Sequence, residues 1–264
     1  MSGIRGFLID LDGVMYTGDL PIPGAAAAIE FLDKNGYSYR FVSNTTRKCR
    51  RTITRNLAHL GLAIPETQIF TPPVAAVAYM KATGKTASRF LVTGDARGEF
   101  PDTPPMQAHA DLVIVGDAGN EITYNTLNTA FRDLMNGAEL IALEKDRYWM
   151  APEGLSLSAG PFIAALEYAT GKTAVIMGKP SKAFFELALQ DMGLRPDQVI
   201  MIGDDIRTDI GGAQNAGMRG VLVRTGKFCR NDISESQIRP DLIISSIADI
   251  TTIVSTADQD LWER

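Results

Sequence analysis

The chain has 264 residues, 45% hydrophobic and 22% charged, which is enough apolar content for one large core or two modest ones. Its net charge of −5 leaves no basic footprint for nucleic acid, and no apolar run approaches the ~20 residues of a membrane span. Two cysteines, Cys49 and Cys229, cannot build a disulfide framework, and the first residues lack a secretion signal's apolar stretch, so a cytoplasmic protein is expected.

The first predicted strand, 7–10, is a continuous apolar run that ends in carboxylates at Asp10 and Asp12, with Gly13 beyond. Strand alternation would turn both carboxylates to one side, where like charges call for a cation or a shared proton. A helix over 24–35 leads to a second strand, 39–43, which ends in Ser43 and Asn44, and a helix over 47–60 follows. Strands are then expected at 89–93, 112–116, 140–143 and 174–178, with helices over 125–136 and 161–170. After Lys179 come a helix over 181–192 and strands at 199–203, 220–224 and 242–244. Uniformly apolar strands separated by helices predict an α/β fold, a doubly wound, Rossmann-like parallel sheet covered on both faces.

The first βαβ unit, from Asp10 to Ser43, takes about 30 residues. The return to a second acidic strand end, Gly203-Asp204-Asp205, takes far longer and includes a stretch of roughly 100 residues with strands of its own. We therefore expect a catalytic core of residues 1–80 and 178–264, interrupted by an inserted α/β cap domain over 81–177.

A doubly wound sheet gathers ligands outside the carboxyl ends of its strands. That rule would bring together Asp10, Asp12, Ser43, Lys179 and Asp204. The chemistry fits phosphoryl transfer: Mg²⁺ takes oxygen ligands, which Asp10, Asp204 and a backbone carbonyl at Asp12 can supply. A carboxylate can attack phosphorus once the charge between them is neutralised, with Lys179 adding positive charge and Ser43 and nearby N–H groups holding phosphate oxygens. Asp12 could protonate the leaving oxygen and later activate water.

Taken in order, Asp10-x-Asp12, Ser43, Lys179 and Gly203-Asp204-Asp205 with Asp209 resemble the motifs of the haloacid dehalogenase-like hydrolases, a superfamily dominated by Mg²⁺-dependent phosphatases. By that resemblance Asp10 is the nucleophile, Asp12 the acid/base and Lys179 a catalytic cation. Asp10, Asp12 and Asp204 hold Mg²⁺, and Asp205 and Asp209 support it from behind or through water. Ser43, Asn44 and Lys179 bind phosphate. The long insert is similar to the larger (C2-type) cap of NagD-like phosphatases. Strings such as Asp117-Ala118-Gly119, Gly178-Lys179-Pro180 and Thr225-Gly226-Lys227 resemble the branch of phospholysine phosphohistidine inorganic pyrophosphate phosphatases.

The resemblance implies an aspartyl-phosphate route acting on small phosphomonoesters, with pyrophosphate and phosphoramidates as further candidates. Within the insert, Lys145, Arg147 and Trp149 lie in a polar and aromatic run suited to contacting a small ligand, and they are the candidate specificity residues. The insert also offers a surface for a homodimer. The competing reading is a phospho-accepting signalling or binding module without turnover. Receiver domains also combine an acidic pair, a phosphorylated aspartate and a lysine, but in about half this length.

Overall fold

The computed structural model describes residues 3–102, 109–151 and 153–258. The fold is α/β, and its contacts divide into two units: Met1–Ser43, Ile53–Phe70 and Lys179–Arg264 in the first, Asn44–Thr52 and Thr71–Gly178 in the second.

The first unit is built on a six-stranded sheet in the order Leu242–Ile244, Arg219–Val223, Val199–Gly203, Gly6–Asp10, Ser38–Val42, Ile69–Phe70. Every neighbouring pair is parallel. In chain order this is the 3-2-1-4-5-6 arrangement, whose direction of winding reverses between Gly6–Asp10 and Val199–Gly203. The strands are continuous apolar runs because both faces are covered. On one face Phe7 and Ile9 join Ala28 and Leu32 of helix Ala25–Lys34, Leu57 of helix Arg50–His59 and Ile253 of helix Ile250–Asp258 in a single core. On the other, helix Lys182–Met192 packs on Ser38–Val42, with Phe184 edge-on to Phe70 at 5.3 Å between ring centres.

The second unit has its own four-stranded parallel sheet, ordered Val175–Ile176, Glu139–Ala142, Leu112–Val115, Ser88–Leu91. Helices Tyr124–Met135 and Gly160–Thr170 close its core, the first started by a capping box between Thr123 and Thr126. A hairpin, Tyr148–Ala151 with Gly154–Leu157, leaves Tyr148, Met150, Leu155 and Leu157 exposed.

The units part at Phe70 and Thr71, earlier than the expected joint at residue 81. Helix Pro72–Thr83 therefore belongs with the second unit, to whose sheet it is tied by the Tyr79 hydroxyl donating to Glu139 Oε1 at 2.7 Å. This helix shows no polar face until its last turn, so its periodicity is silent in the sequence.

Candidate active site

Asp10 is the last residue of its strand, behind Phe7, Leu8 and Ile9, which are all but inaccessible to solvent. The neighbouring strands deliver their own polar ends at the same level. Asp204 follows Gly203 directly, and Ser43 follows Val42, the register partner of Asp10. All three are buried, at the point where the winding of the sheet reverses.

Lys179 opens the chain's return to the first unit. Its ammonium donates to Asp10 Oδ1 at 2.7 Å and to Asp209 Oδ1 at 2.6 Å, with the lysine side chain only 4% exposed. Oxygens of Asp10, Asp204 and Asp209 lie within 4.8 Å of one another. Three buried carboxylates around one ammonium leave excess negative charge in the cluster. Burial, opposed by Lys179 and reinforced by Asp209 and Asp204, pushes the Asp10 carboxyl up to about 7. Burial likewise lifts Asp204 to about 6, against the N–H of Lys227. For Lys179 burial acts downward, but the carboxylates of Asp10 and Asp209 outweigh it and hold the ammonium above the ordinary lysine value.

The residues present fit a divalent cation. All the donors are oxygens, and Asp204 Oδ1 is buried without a hydrogen-bond partner, an arrangement that costs free energy unless something else meets it. Asp204 Oδ2 accepts from the Lys227 N–H at 2.7 Å. The carboxylate is thus already held by one oxygen.

Asp209 enters the cluster through an unusual turn. Ile206–Gly211 is wound as a π-helix, a form often found at functional sites. Asp205 caps it, accepting from the N–H groups of Arg207 and Thr208 at 2.9 and 3.0 Å. Asp209 Oδ2 in turn accepts from the Asp205 N–H at 3.1 Å. Gly203 makes room for this, since a Cβ there would lie 2.3 Å from the Asp209 Cβ. Both oxygens of Asp209 are engaged by protein groups, Oδ1 by the Lys179 ammonium and Oδ2 by the Asp205 N–H.

Asp12 is placed differently from the expectation of two carboxylates side by side on one strand. The strand ends at Asp10, and Asp12 bridges to Tyr16 within a tight turn, solvent-exposed and outside the group of clustered carboxylates. Gly13, at φ +85°, turns the chain, its N–H donating to the Tyr16 carbonyl at 2.7 Å. Burial first, then Asp12 and Asp10, raise the Tyr16 phenol to about 12.

The other expected residues fall in the second unit. Asn44 is half-buried and opens the segment 44–52. Lys145 is ion-paired with Glu167 at 2.6 Å, and Arg147 and Trp149 are exposed, the latter on the hairpin with the Arg47 guanidinium 5.5 Å from its ring centre. Arg47 also donates to Asp117 Oδ2 at 3.1 Å. What sequence reasoning gave no role was the segment at 225–227, whose only signal was a Thr-Gly-Lys string beyond a strand end.

Comparison with known proteins places the chain. A family model described as "Haloacid dehalogenase-like hydrolase" matches residues 7–99, and a second HAD-hydrolase-like model matches residues 176–250. The chain is 41% identical over 238 residues to haloacid dehalogenase-like hydrolase domain-containing protein 2 of Bos taurus, covering 90% of each chain. It is 37% identical over 260 residues to the phospholysine phosphohistidine inorganic pyrophosphate phosphatase of Rattus norvegicus, covering 96% of this chain and 95% of that one. Among solved structures, the 4-nitrophenylphosphatase of Thermotoga maritima superposes with a TM-score of 0.85 at 25% identity, covering 95% of this chain and 97% of that one. NagD of E. coli shares the fold at a TM-score of 0.84 and 24% identity, covering 94% and 98%. With carboxylate-bearing strand ends meeting at the switch point, and this likeness over nearly its whole length, the chain belongs to the haloacid dehalogenase-like hydrolase family.

Proposed function

We propose that this hydrolase is a Mg²⁺-dependent phosphatase of small phosphorylated metabolites, working through an aspartyl-phosphate on Asp10. The observation that carries the reading is the buried Asp10–Lys179–Asp209 array beside the unpartnered Asp204 oxygen. The phosphatase class itself follows from the family and from relatives that are named phosphatases.

Lys179 occupies Asp10 Oδ1, which leaves Oδ2 to attack phosphorus. As the new P–O bond forms, the bond to the leaving oxygen breaks and Asp12 supplies its proton. Asp12 then takes a proton from water, whose oxygen attacks phosphorus and breaks the bond to Asp10, releasing phosphate. Ser43 and Asn44 are assigned the phosphate oxygens. Asp10, Asp204 and the Asp12 carbonyl would hold Mg²⁺, with Asp205 and Asp209 in support. When bound, the ion supplies charge neutralisation between nucleophile and phosphate. Two free cysteines suit a reducing compartment, and we assign the protein to the cytoplasm.

The test is turnover of p-nitrophenyl phosphate and a panel of phosphomonoesters, pyrophosphate and phosphoramidates by the purified chain, with Mg²⁺ and with EDTA. The expected result is Mg²⁺-dependent phosphate release that Asp10→Asn abolishes. Turnover surviving Asp10→Asn would overturn the nucleophile assignment. Phosphorylation of Asp10 without release would favour the signalling reading.

A further inference from the structure

Beyond strand Arg219–Val223 the chain passes through Thr225, Gly226 and Lys227, which the phosphatase mechanism does not use. All three converge on Asp204 and on the turn that carries Asp12. The Thr225 hydroxyl donates to the Gly13 carbonyl, and the Lys227 N–H donates to Asp204 Oδ2 at 2.7 Å. Between them Gly226 lies backbone to backbone against Gly13. A Cβ on Gly226 would sit 2.5 Å from the Gly13 Cα and 2.0 Å from Asp204 Oδ2, and a Cβ on Gly13 would meet that same oxygen at 1.9 Å. Both glycines adopt left-handed backbone, φ +61° and +85°, which side-chain-bearing residues rarely adopt.

The Asp204 carboxylate is therefore seated in a slot between two bare backbones. One oxygen is consumed by an N–H at the end of that slot, and the other, Oδ1, is buried and unpartnered. A carboxylate tied in this way cannot rotate freely, so its second oxygen keeps a fixed direction. Groups behind a metal ligand commonly set affinity in this way, by orienting the donor rather than by touching the ion.

We propose that Thr225-Gly226-Lys227 is a positioning clamp, which fixes the rotation of Asp204 and so presents Oδ1 to a divalent cation. Thr225 fastens the Asp12 turn, Gly226 and Gly13 form the walls of the slot, and the Lys227 N–H sets the angle of the carboxylate. The clamp acts only through Asp204 and the turn, and it rests on the metal-dependent reading above.

The test is calorimetric titration of Mg²⁺ into the metal-free full chain, comparing the parent with Thr225→Val, Thr225→Ser and Gly226→Ala, with thermal unfolding without metal recorded alongside. Thr225→Val removes the donated hydrogen bond at nearly constant volume, whereas Thr225→Ser keeps it. Weakening of Mg²⁺ binding by roughly tenfold is expected for Thr225→Val and by up to about a hundredfold for Gly226→Ala, with Thr225→Ser staying within about twofold of the parent. If Gly226→Ala does not fold, the threonine pair decides the matter. Equal Mg²⁺ affinity in Thr225→Val and Thr225→Ser, whether both at parental strength or both weakened, overturns the clamp. If the parent binds Mg²⁺ and hydrolyses p-nitrophenyl phosphate while the variants bind as it does, the clamp alone falls. A parent that takes up no Mg²⁺ removes the metal-dependent reading and the clamp together.

Discussion

Replacing Lys179 by methionine isolates the charge at the centre of the site. The side chain keeps its approximate length, but two ion pairs, at 2.7 Å to Asp10 and 2.6 Å to Asp209, are lost. The exposures of the three side chains are 4%, 11% and 1%, so water cannot replace the ammonium. Removing one member of a buried pair typically costs about 3–5 kcal/mol, because the remaining charge stays buried and unpaired.

Protonation limits that cost and makes it depend on pH. Burial already raises Asp10 to about 7 while Lys179 pulls it down, so without the ammonium the carboxyl rises further. The folded variant then holds a proton near neutral pH that the unfolded chain, with an aspartate near its ordinary 3.8, has released. When the folded state binds more protons, stability falls as pH rises, here by about 1.4 kcal/mol per pH unit for as long as the folded variant keeps that proton. The parent gives up its own Asp10 proton around pH 7, so the gap between parent and variant widens above that pH. Urea unfolding in EDTA should show a deficit of about 3 kcal/mol at pH 8, or roughly 6–12 °C in Tm, and a visibly smaller one at pH 6. A deficit below about 1 kcal/mol at pH 8, or one identical at both pH values, would refute the reasoning.

Two further outcomes follow from the same geometry, and a third tests the proposed specificity residue Trp149. Asp209→Asn keeps the shape of the π-helical turn but removes one of the two anions on Lys179, and catalytic efficiency should drop roughly 10–100-fold with the far-ultraviolet circular dichroism unchanged. Mg²⁺ requires ionised ligands, so with burial raising Asp10 to about 7 and Asp204 to about 6, affinity should fall roughly 20-fold from pH 8 to pH 6. Calorimetry in buffers of different ionisation enthalpy should count the released protons, and constant affinity over that range would contradict the ligand assignment. Trp149→Ala should change KM unequally across the substrate panel while leaving Mg²⁺ affinity in place, which a paired kinetic and calorimetric measurement resolves.

Much of this architecture was legible in the sequence because parallel strands buried on both faces are written as unbroken apolar runs. All nine strands expected from such runs are present, and Val199–Gly203 and Leu242–Ile244 have the expected limits. Asp10, Ser43 and Asp204 were legible because each terminates or directly follows one of those strands. What stayed hidden depends on geometry rather than composition. Helix Pro72–Thr83 is apolar around most of its surface, and Ile69–Phe70 is too short to show a pattern. The approach of Asp209 to Lys179 needs the wide winding of Ile206–Gly211 and the bare backbone of Gly203, and neither can be read from residue types alone. The meeting of Gly13 with Gly226 joins residues far apart in the chain, and a glycine does not announce which neighbour it admits.

The proposed division of labour between Asp10 and Asp12 turns on where the strand stops. Had Gly6–Asp10 continued in extended form, both carboxylates would have shared one environment, and one description would have served for both. Instead the left-handed turn at Gly13 and the bridge from Asp12 to Tyr16 carry Asp12 out to solvent while Asp10 stays buried against Lys179. A nucleophile gains from being desolvated and held in one orientation, which the Lys179 contact provides. A residue that gives a proton to a leaving group and later takes one from water needs access to both, which exposure provides. On that proposal the two environments suit two roles for chemically identical groups. In this chain the device that separates them is one glycine and the turn it permits, and Thr225 fastens that same turn to the segment whose Lys227 N–H holds Asp204.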